Sequence, residues 1–238
     1  MMYLRTVWVF LNLLMSVLVV GPAIILLSLF VKDQRVYSGL VRFWASWNVA
    51  AAGMKVKLEG LENVDRSRRY VVMGNHESSL DIFLVLALIP LELRIVAKAE
   101  LQKLPLVGAA MARALFPFVD RRNHRKAVES LNRTFAAMSE YNLSVFIYPE
   151  GTRGGVGKMI PFKKGGFVLA IERQLPILPV MLEGAGKINP PGTIWVKDTD
   201  VTMTFLPVVE TVGLTLADRD GLKDRVFGVM SEFQSGPA

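Results

Sequence analysis

The chain has 238 residues, with 28 Lys and Arg against 21 Asp and Glu, a formal net charge of +7. It contains no cysteine and two histidines, His76 and His124. These counts exclude disulfide staples, thiolate metal sites, a cysteine nucleophile and a multi-histidine metal centre. Hydrophobic residues make up 52% and the mean hydropathy is +0.37, which excludes a disordered or low-complexity chain.

The apolar excess lies at the N-terminus. From Thr6 to Val31 there are 26 positions without a charge, against the about 20 that a helix needs to cross a bilayer. Gly21 and Pro22 interrupt the run, and proline kinks or breaks a helix. A second stretch, Tyr37 to Met54, carries Arg42, Trp44 and Trp47; tryptophan prefers the membrane interface and arginine snorkels towards phosphates. A cleaved signal peptide needs a shorter apolar core and a small-residue cleavage site. A buried hairpin of a soluble protein rarely contains so long an uncharged run. Residues 1–53 therefore read as membrane-anchoring helices, either a single span or a kinked helix in one leaflet with an interfacial helix beside it. Arg5 precedes the run and Lys32, Arg35 and Arg42 follow it, which places the bulk of the chain on the cytoplasmic side, at the inner membrane in a bacterium.

Residues 54–238 read as one α/β domain. Lys55 to Glu59 alternates like a half-buried strand, and Tyr70 to Met73 is a short buried run that turns at Gly74-Asn75-His76. Ser79 to Leu88 is predicted helical, Leu93 to Ala97 a strand, and Pro105 starts a helix reaching Ala114. Phe116 to Val119 is a strand. His124 to Glu140 has helical spacing of Val128, Leu131, Phe135 and Met138. Strands follow at Leu143–Tyr148 and Ile177–Leu182, with a short helix over Gly166–Arg173 between them. Trp195 to Val209 reads as two strands or one bent strand, and Leu216 to Phe233 as the closing helix. This alternation implies a layered, mostly parallel sheet with flanking helices.

Asn75-His76-Glu77-Ser78-Ser79-Leu80-Asp81 follows a buried strand and opens a helix, the place where α/β sheets carry their sites. Within one helix, positions five apart point about 140° away from each other. His76 and Asp81 therefore meet only if His76 lies in the turn and Asp81 in the first helical turn, with Ser78 or Ser79 as the cap. An aspartate accepting from one imidazole nitrogen fixes the tautomer and leaves the other nitrogen as a base. The alternative is a capping turn whose His and Asp only satisfy the backbone. Leu80 stands where a zincin H-E-x-x-H needs its second histidine, so that reading fails.

In Tyr148-Pro149-Glu150-Gly151-Thr152-Arg153 a strand stops at proline and presents a carboxylate, a flexible glycine and an arginine, the side chain suited to bidentate phosphate binding. The alternative is an ion-paired surface turn. A P-loop does not fit: Thr152 holds the first glycine position and Met159 follows the lysine. Between Arg94 and Lys164 there are thirteen Lys or Arg against five Asp or Glu, a density that suits anionic lipid or a phosphorylated substrate. It carries no nucleic-acid recognition motif, and nucleic acid is not expected as a partner.

Together these segments resemble the glycerolipid acyltransferases. Asn75 to Asp81 is similar to the family's N-H-x-S-x-x-D block. Lys98-Ala99-Glu100-Leu101 with Pro105, Gly108 and Phe118-Val119-Asp120-Arg121 resembles the second block. Tyr148 to Arg153 with Pro161-Phe162-Lys163-Lys164-Gly165 resembles the third, and Leu175 to Val180 the fourth. The subgroup they most resemble is the 1-acylglycerol-3-phosphate acyltransferases. The resemblance implies acyl transfer from acyl-CoA or acyl carrier protein, as co-substrate, to the sn-2 hydroxyl of lysophosphatidic acid, giving phosphatidic acid for phospholipid biosynthesis. It implies His76 as base, Asp81 as its orienting partner, and Glu150 and Gly151 as groups that position the acceptor or stabilise the oxyanion. It implies Lys98, Arg121 and Arg153 as phosphate ligands, a membrane-associated N-terminal hairpin, and neither cofactor nor metal, because the thioester is already activated. The alternatives are another lysolipid as acceptor, such as a lyso-ornithine lipid, a lipid thioesterase that uses water with the same histidine, and a basic lipid-binding protein without turnover.

Overall fold

The uncharged N-terminal run forms one helix, α1 (Met2–Leu27), with Pro22 inside it, in a computed structural model that describes residues 2–120, 134–190 and 192–235. The chain divides into two compact units, Tyr3–Ala52 with Ile82–Val145, and Gly53–Asp81 with Phe146–Ala238.

In the first unit, α1 pairs with α2 (Gln34–Ala51), whose N-cap Asp33 accepts from the Arg35 amide at 2.9 Å. Side-chain hydrogen bonds join them: Asn48 donates to Ser16 Oγ at 2.9 Å, Trp47 to Asn12 Oδ1 at 3.3 Å, and Trp8 to the Ala51 carbonyl at 3.1 Å. The outer side of α1 is apolar and exposed, with Leu4, Leu11, Leu14, Met15 and Leu18 all more than half accessible. Among the described residues, α1 is the one helix long and apolar enough to cross a membrane. Most of α3 (Asp81–Leu88) lies in this unit, with β3 (Leu93–Ile95), β4 (Ala97–Lys98), α4 (Pro105–Arg113) and β5 (Phe118–Val119). A further helix, α5, is described over residues 134–140. β4 and β5 form a two-stranded parallel ribbon.

Two basic residues depart from their sequence reading here. Arg94, counted with the basic face, is fully buried; its guanidinium donates to Ser38 Oγ and the Leu93 carbonyl at 2.9 Å each and to the Ala114 carbonyl. Burial lowers its pKa to about 10. Arg42, read as reaching for lipid phosphates, donates to the carbonyls of Leu91 at 2.9 Å and Ile89 at 3.3 Å. Charge counts along a sequence cannot tell a solvated cation from one that ties carbonyls together.

The second unit is a sheet covered by helices. β1 (Lys55–Glu59) runs parallel to β8 (Asp200–Phe205), β8 antiparallel to β7 (Ile177–Glu183), and β7 parallel to β2 (Val71–Gly74). The next strand, β6 (Ser144–Ile147), lies beside β2 in the order β1-β8-β7-β2-β6. Its first two residues belong to the first unit, where the Ser144 amide donates to Glu92 at 2.7 Å. All four β2 residues are buried, the mark of a central strand covered on both faces. The core holds Met73, Phe146, Val180, Met203 and Phe205, with Phe167 of α6 (Gly165–Glu172) and Val226 and Met230 of α8 (Arg219–Ser235).

Several boundaries differ from expectation, among them the strand expected over Leu93–Ala97, which divides into β3 and β4, and that over Phe116–Val119, which starts at Phe118. The helix expected from Ser79 starts at Asp81. The two strands or one bent strand expected over Trp195–Val209 shrink to β8, and a short helix, α7 (Ala185–Ile188), went unpredicted. The closing helix begins at Arg219, after a 3-10 turn at Leu216–Asp218. The N-terminal part of the expected helix over His124–Glu140, and Arg121 with it, lie outside the described residues.

Candidate active site

β2 and β6 are neighbours, so the segments that leave their carboxyl ends are brought together. The first carries His76, the second Glu150, Gly151 and Arg153. Asn75 is buried just past β2 and continues the pairing with β7 through its side chain. Its Oδ1 accepts from the Leu182 amide at 2.8 Å and its Nδ2 donates to the Leu182 carbonyl at 3.1 Å. The backbone is thus free to turn at His76 without leaving β7 unsatisfied.

His76 Nδ1 lies 3.0 Å from Asp81 Oδ2. Asp81 is fully buried, and the same oxygen accepts from the amides of Glu77 at 2.9 Å and Ser78 at 2.8 Å. An ionised carboxylate only accepts, so Nδ1 carries the proton and Nε2 keeps its lone pair. The imidazole stacks on the Tyr148 ring, with centroids 3.9 Å apart and planes inclined by 18°. Phe146 meets the same tyrosine edge-on at 4.8 Å. The Tyr148 hydroxyl is buried without a hydrogen-bond partner among the described residues, and burial pushes its pKa well up. The His76 side chain remains 19% exposed, so the imidazole is held on one side by a carboxylate and beneath by a ring, and still reaches solvent.

Glu150 is buried, with both carboxylate oxygens on backbone amides: Oε1 on His76 at 3.0 Å and Oε2 on Ile160 at 3.1 Å. Burial raises its pKa, and the two amide bonds oppose that. Gly151 sits at φ +71°, a backbone conformation that favours glycine, and an added Cβ would lie 2.8 Å from the flexible end of Lys163 at Cδ. Arg153 is exposed and donates to Ser79 Oγ at 2.7 Å. Lys98 closes β4 in the first unit with an exposed side chain. Four amides of the turn into α3 have partners within that turn. Those of Glu77 and Ser78 serve Asp81, that of Leu80 serves Ser78 Oγ at 3.2 Å, and that of Asp81 serves the Ser78 carbonyl at 3.4 Å.

Sequence reasoning missed Glu77 and the stacking by Tyr148. Glu77 is buried, and its Oε1 accepts from Asn75 Nδ2 at 3.1 Å and from the Gly157 amide at 3.2 Å. Its pKa is raised by burial. A glutamate flanked by histidine and serine in a turn reads as solvated, and only the fold shows that it is enclosed. The aromatic signal at Phe146 and Tyr148 was visible, since alternate strand residues share a face.

A buried carboxylate behind a partly exposed imidazole, at the strand ends of an α/β sheet, is an arrangement able to serve as a general base. A sequence profile described as Acyltransferase matches residues 55–183, and the chain belongs to the acyltransferase family. It is 35% identical over 159 residues to a 1-acyl-sn-glycerol-3-phosphate acyltransferase of Limnanthes alba, covering 67% of this chain and 56% of that one. It is 32% identical over 174 residues to the human 1-acyl-sn-glycerol-3-phosphate acyltransferase alpha, covering 73% and 62%. The chain thus spans between half and two thirds of the length of these relatives. In fold it is similar to the crystallised 1-acyl-sn-glycerophosphate (LPA) acyltransferase PlsC of Thermotoga maritima, with a TM-score of 0.80, 22% identity, and coverage of 99% of this chain and 97% of that one.

Proposed function

We propose that the chain transfers a fatty acyl group from an acyl-CoA or acyl carrier protein thioester to the sn-2 hydroxyl of 1-acyl-sn-glycerol-3-phosphate, forming phosphatidic acid. The observation that carries this reading is the His76–Asp81 pair, with Nε2 unpartnered among the described residues. Nε2 takes the hydroxyl proton as the oxygen attacks the thioester carbonyl, and the Asp81 carboxylate at 3.0 Å offsets the positive charge that forms on the ring. Collapse of the tetrahedral intermediate breaks the C–S bond, and the imidazolium returns its proton to the leaving thiolate. The donor arrives activated, so the reaction calls for neither metal nor cofactor. Arg153, an exposed guanidinium held by Ser79 at 2.7 Å, suits the acceptor's phosphate; Lys98 and Arg121 are proposed as further phosphate ligands. The exposed apolar side of α1 supports attachment to a bilayer, with the catalytic residues facing the cytoplasm, so that the amphiphilic acceptor arrives by lateral diffusion.

The test is purified protein in vesicles with lysophosphatidic acid and either acyl donor, the products identified by mass spectrometry. Phosphatidic acid formed by the wild type and lost in His76→Ala is the expected result. Thioester consumption that needs no lysolipid would instead mean a thioesterase, and acylation of a different lysolipid alone would reassign the acceptor.

A further inference from the structure

Two buried carboxylates lace the two site segments to each other in opposite directions. Glu150, on the segment after β6, reaches across to the His76 amide. Glu77, on the segment after β2, reaches back to the Gly157 amide. Between these ties the Gly154 amide donates to the His76 carbonyl at 2.8 Å, and Arg153 donates to Ser79. Glu150 belongs to a motif that the sequence singled out; Glu77 was assigned nothing. Its surroundings are those of a built socket. It is 5% exposed, its Oε1 holds two donors, and Gly186 packs against its other oxygen. The socket leaves no slack, since a Cβ on Gly186 would stand 2.6 Å from Glu77 Oε2 and 3.0 Å from its Cβ.

We propose that Glu77 is a positioning residue for the phosphorylated acceptor: by pinning the 151–160 segment at Gly157, it sets Arg153 against the histidine turn. This rests on the acceptor reading given above. The logic is that of an exposed arginine on a glycine-rich segment, with Gly151, Gly154, Gly155 and Gly157 in seven positions. Such a segment has many conformations open to it, and the guanidinium is in place for only a fraction of them unless the segment is tied. A ligand that binds one conformation loses apparent affinity in proportion to that fraction. Glu77 does not touch the His76 ring, so releasing it changes where the acceptor is held more than how fast the bound hydroxyl is deprotonated.

The experiment compares Glu77→Ala, Glu77→Gln and Gly186→Ala with the wild type, by steady-state kinetics in vesicles and by hydrogen–deuterium exchange. Expected for Glu77→Ala is a rise of about tenfold in the KM for lysophosphatidic acid, which corresponds to about 1.4 kcal/mol, with kcat and the donor KM within about threefold. Glu77→Gln, which keeps an acceptor oxygen, recovers part of the loss. Gly186→Ala crowds the carboxylate from the far side and raises the same KM with every residue of the histidine turn intact, so it carries the test if Glu77→Ala does not fold. Exchange in 151–160 speeds up in all three, with β7 as the unchanged reference. Faster exchange without a change in acceptor KM, a loss confined to kcat, or unaltered exchange in 151–160 would each overturn the proposal. If the wild type does not acylate lysophosphatidic acid, the acceptor reading has failed, and the exchange comparison still decides whether Glu77 pins the segment.

Discussion

Replacing Asp81 tests the pairing on which the chemistry depends, and its geometry distinguishes this site from a simple dyad. One oxygen, Oδ2, accepts from His76 Nδ1 and from two backbone amides, and Oδ1 has no partner among the described residues. Asp81→Ala would strand three donors, each bond being charge-assisted and contributing about 1.5–3 kcal/mol. That sum approaches the whole stability of a typical domain, about 5–15 kcal/mol, so the alanine variant would report unfolding. Asp81→Asn is the informative change. An NH2 at the Oδ2 position would face two backbone N–H groups, so the amide oxygen must sit there and the NH2 must take the unpartnered side. His76 then keeps its tautomer and loses only the negative charge behind it. Weaker bonds and a buried unpaired NH2 destabilise the protein by about 2–4 kcal/mol, a fall in Tm of about 4–16 °C for a chain of this size. General-base catalysis contributes about 10²–10⁴-fold; kcat should fall within the lower half of that range, and further in His76→Ala. Thermal unfolding, vesicle kinetics and 15N shifts of the imidazole measure the three quantities. A folded Asp81→Asn protein with wild-type kcat would refute the pairing, and one with the proton moved to Nε2 would refute the amide-oxygen argument.

Tyr148→Phe removes a buried hydroxyl that has no partner and keeps the ring under His76, so Tm should hold or rise and kcat should stay within about threefold of wild type, whereas Tyr148→Ala should cost about 3–5 kcal/mol in a melting experiment. Glu150 has its pKa raised by burial from the ordinary 4.5. A carboxyl whose folded pKa lies above its unfolded one favours the native state below the unfolded pKa, and that contribution is lost as pH rises through the folded value. The Tm of Glu150→Gln relative to wild type should therefore climb as pH rises above about 4.5. A flat or falling difference across pH 4–8, followed by differential scanning fluorimetry, would show that Glu150 is not held in this way. Gly151→Ala, at φ +71° and against Lys163, should cost about 1–2 kcal/mol and lower acyl transfer; unchanged turnover would mean that this turn is not part of the site.

Local pattern reached as far as local physics does. The alternation in Lys55–Glu59 and the apolar run before Gly74 placed β1 and β2 closely, because side-chain period and burial are written in neighbouring residues. The five-residue spacing from His76 to Asp81 was enough to put one in a turn and the other on the first turn of a helix, and the structure has them there. The start of α3 lies two residues later than expected: Ser78 Oγ accepts forwards from the Leu80 amide, while Asp81 reaches backwards to the amides of Glu77 and Ser78 and becomes the first helical residue. The fate of charged residues was not legible. Arg94 beneath α2 and Glu77 behind the histidine turn look like solvated surface until distant elements close over them. The order β1-β8-β7-β2-β6 was out of reach for the same reason, since nothing in Lys55–Glu59 names Asp200–Phe205 as its partner.

That last pairing bears on how the protein is made. β1 and β2 leave the ribosome early, yet β1 must wait for β8 near the other end of the chain, and β2 for β7. Until then two strand segments have bare hydrogen-bonding edges, and the greasy leading helix has already emerged ahead of them. Synthesis beside a lipid surface would keep that helix occupied while the late strands arrive. Such an order of events makes the nascent polypeptide most vulnerable to clumping in its middle stage, when the histidine is already present and the strand that anchors its turn is not.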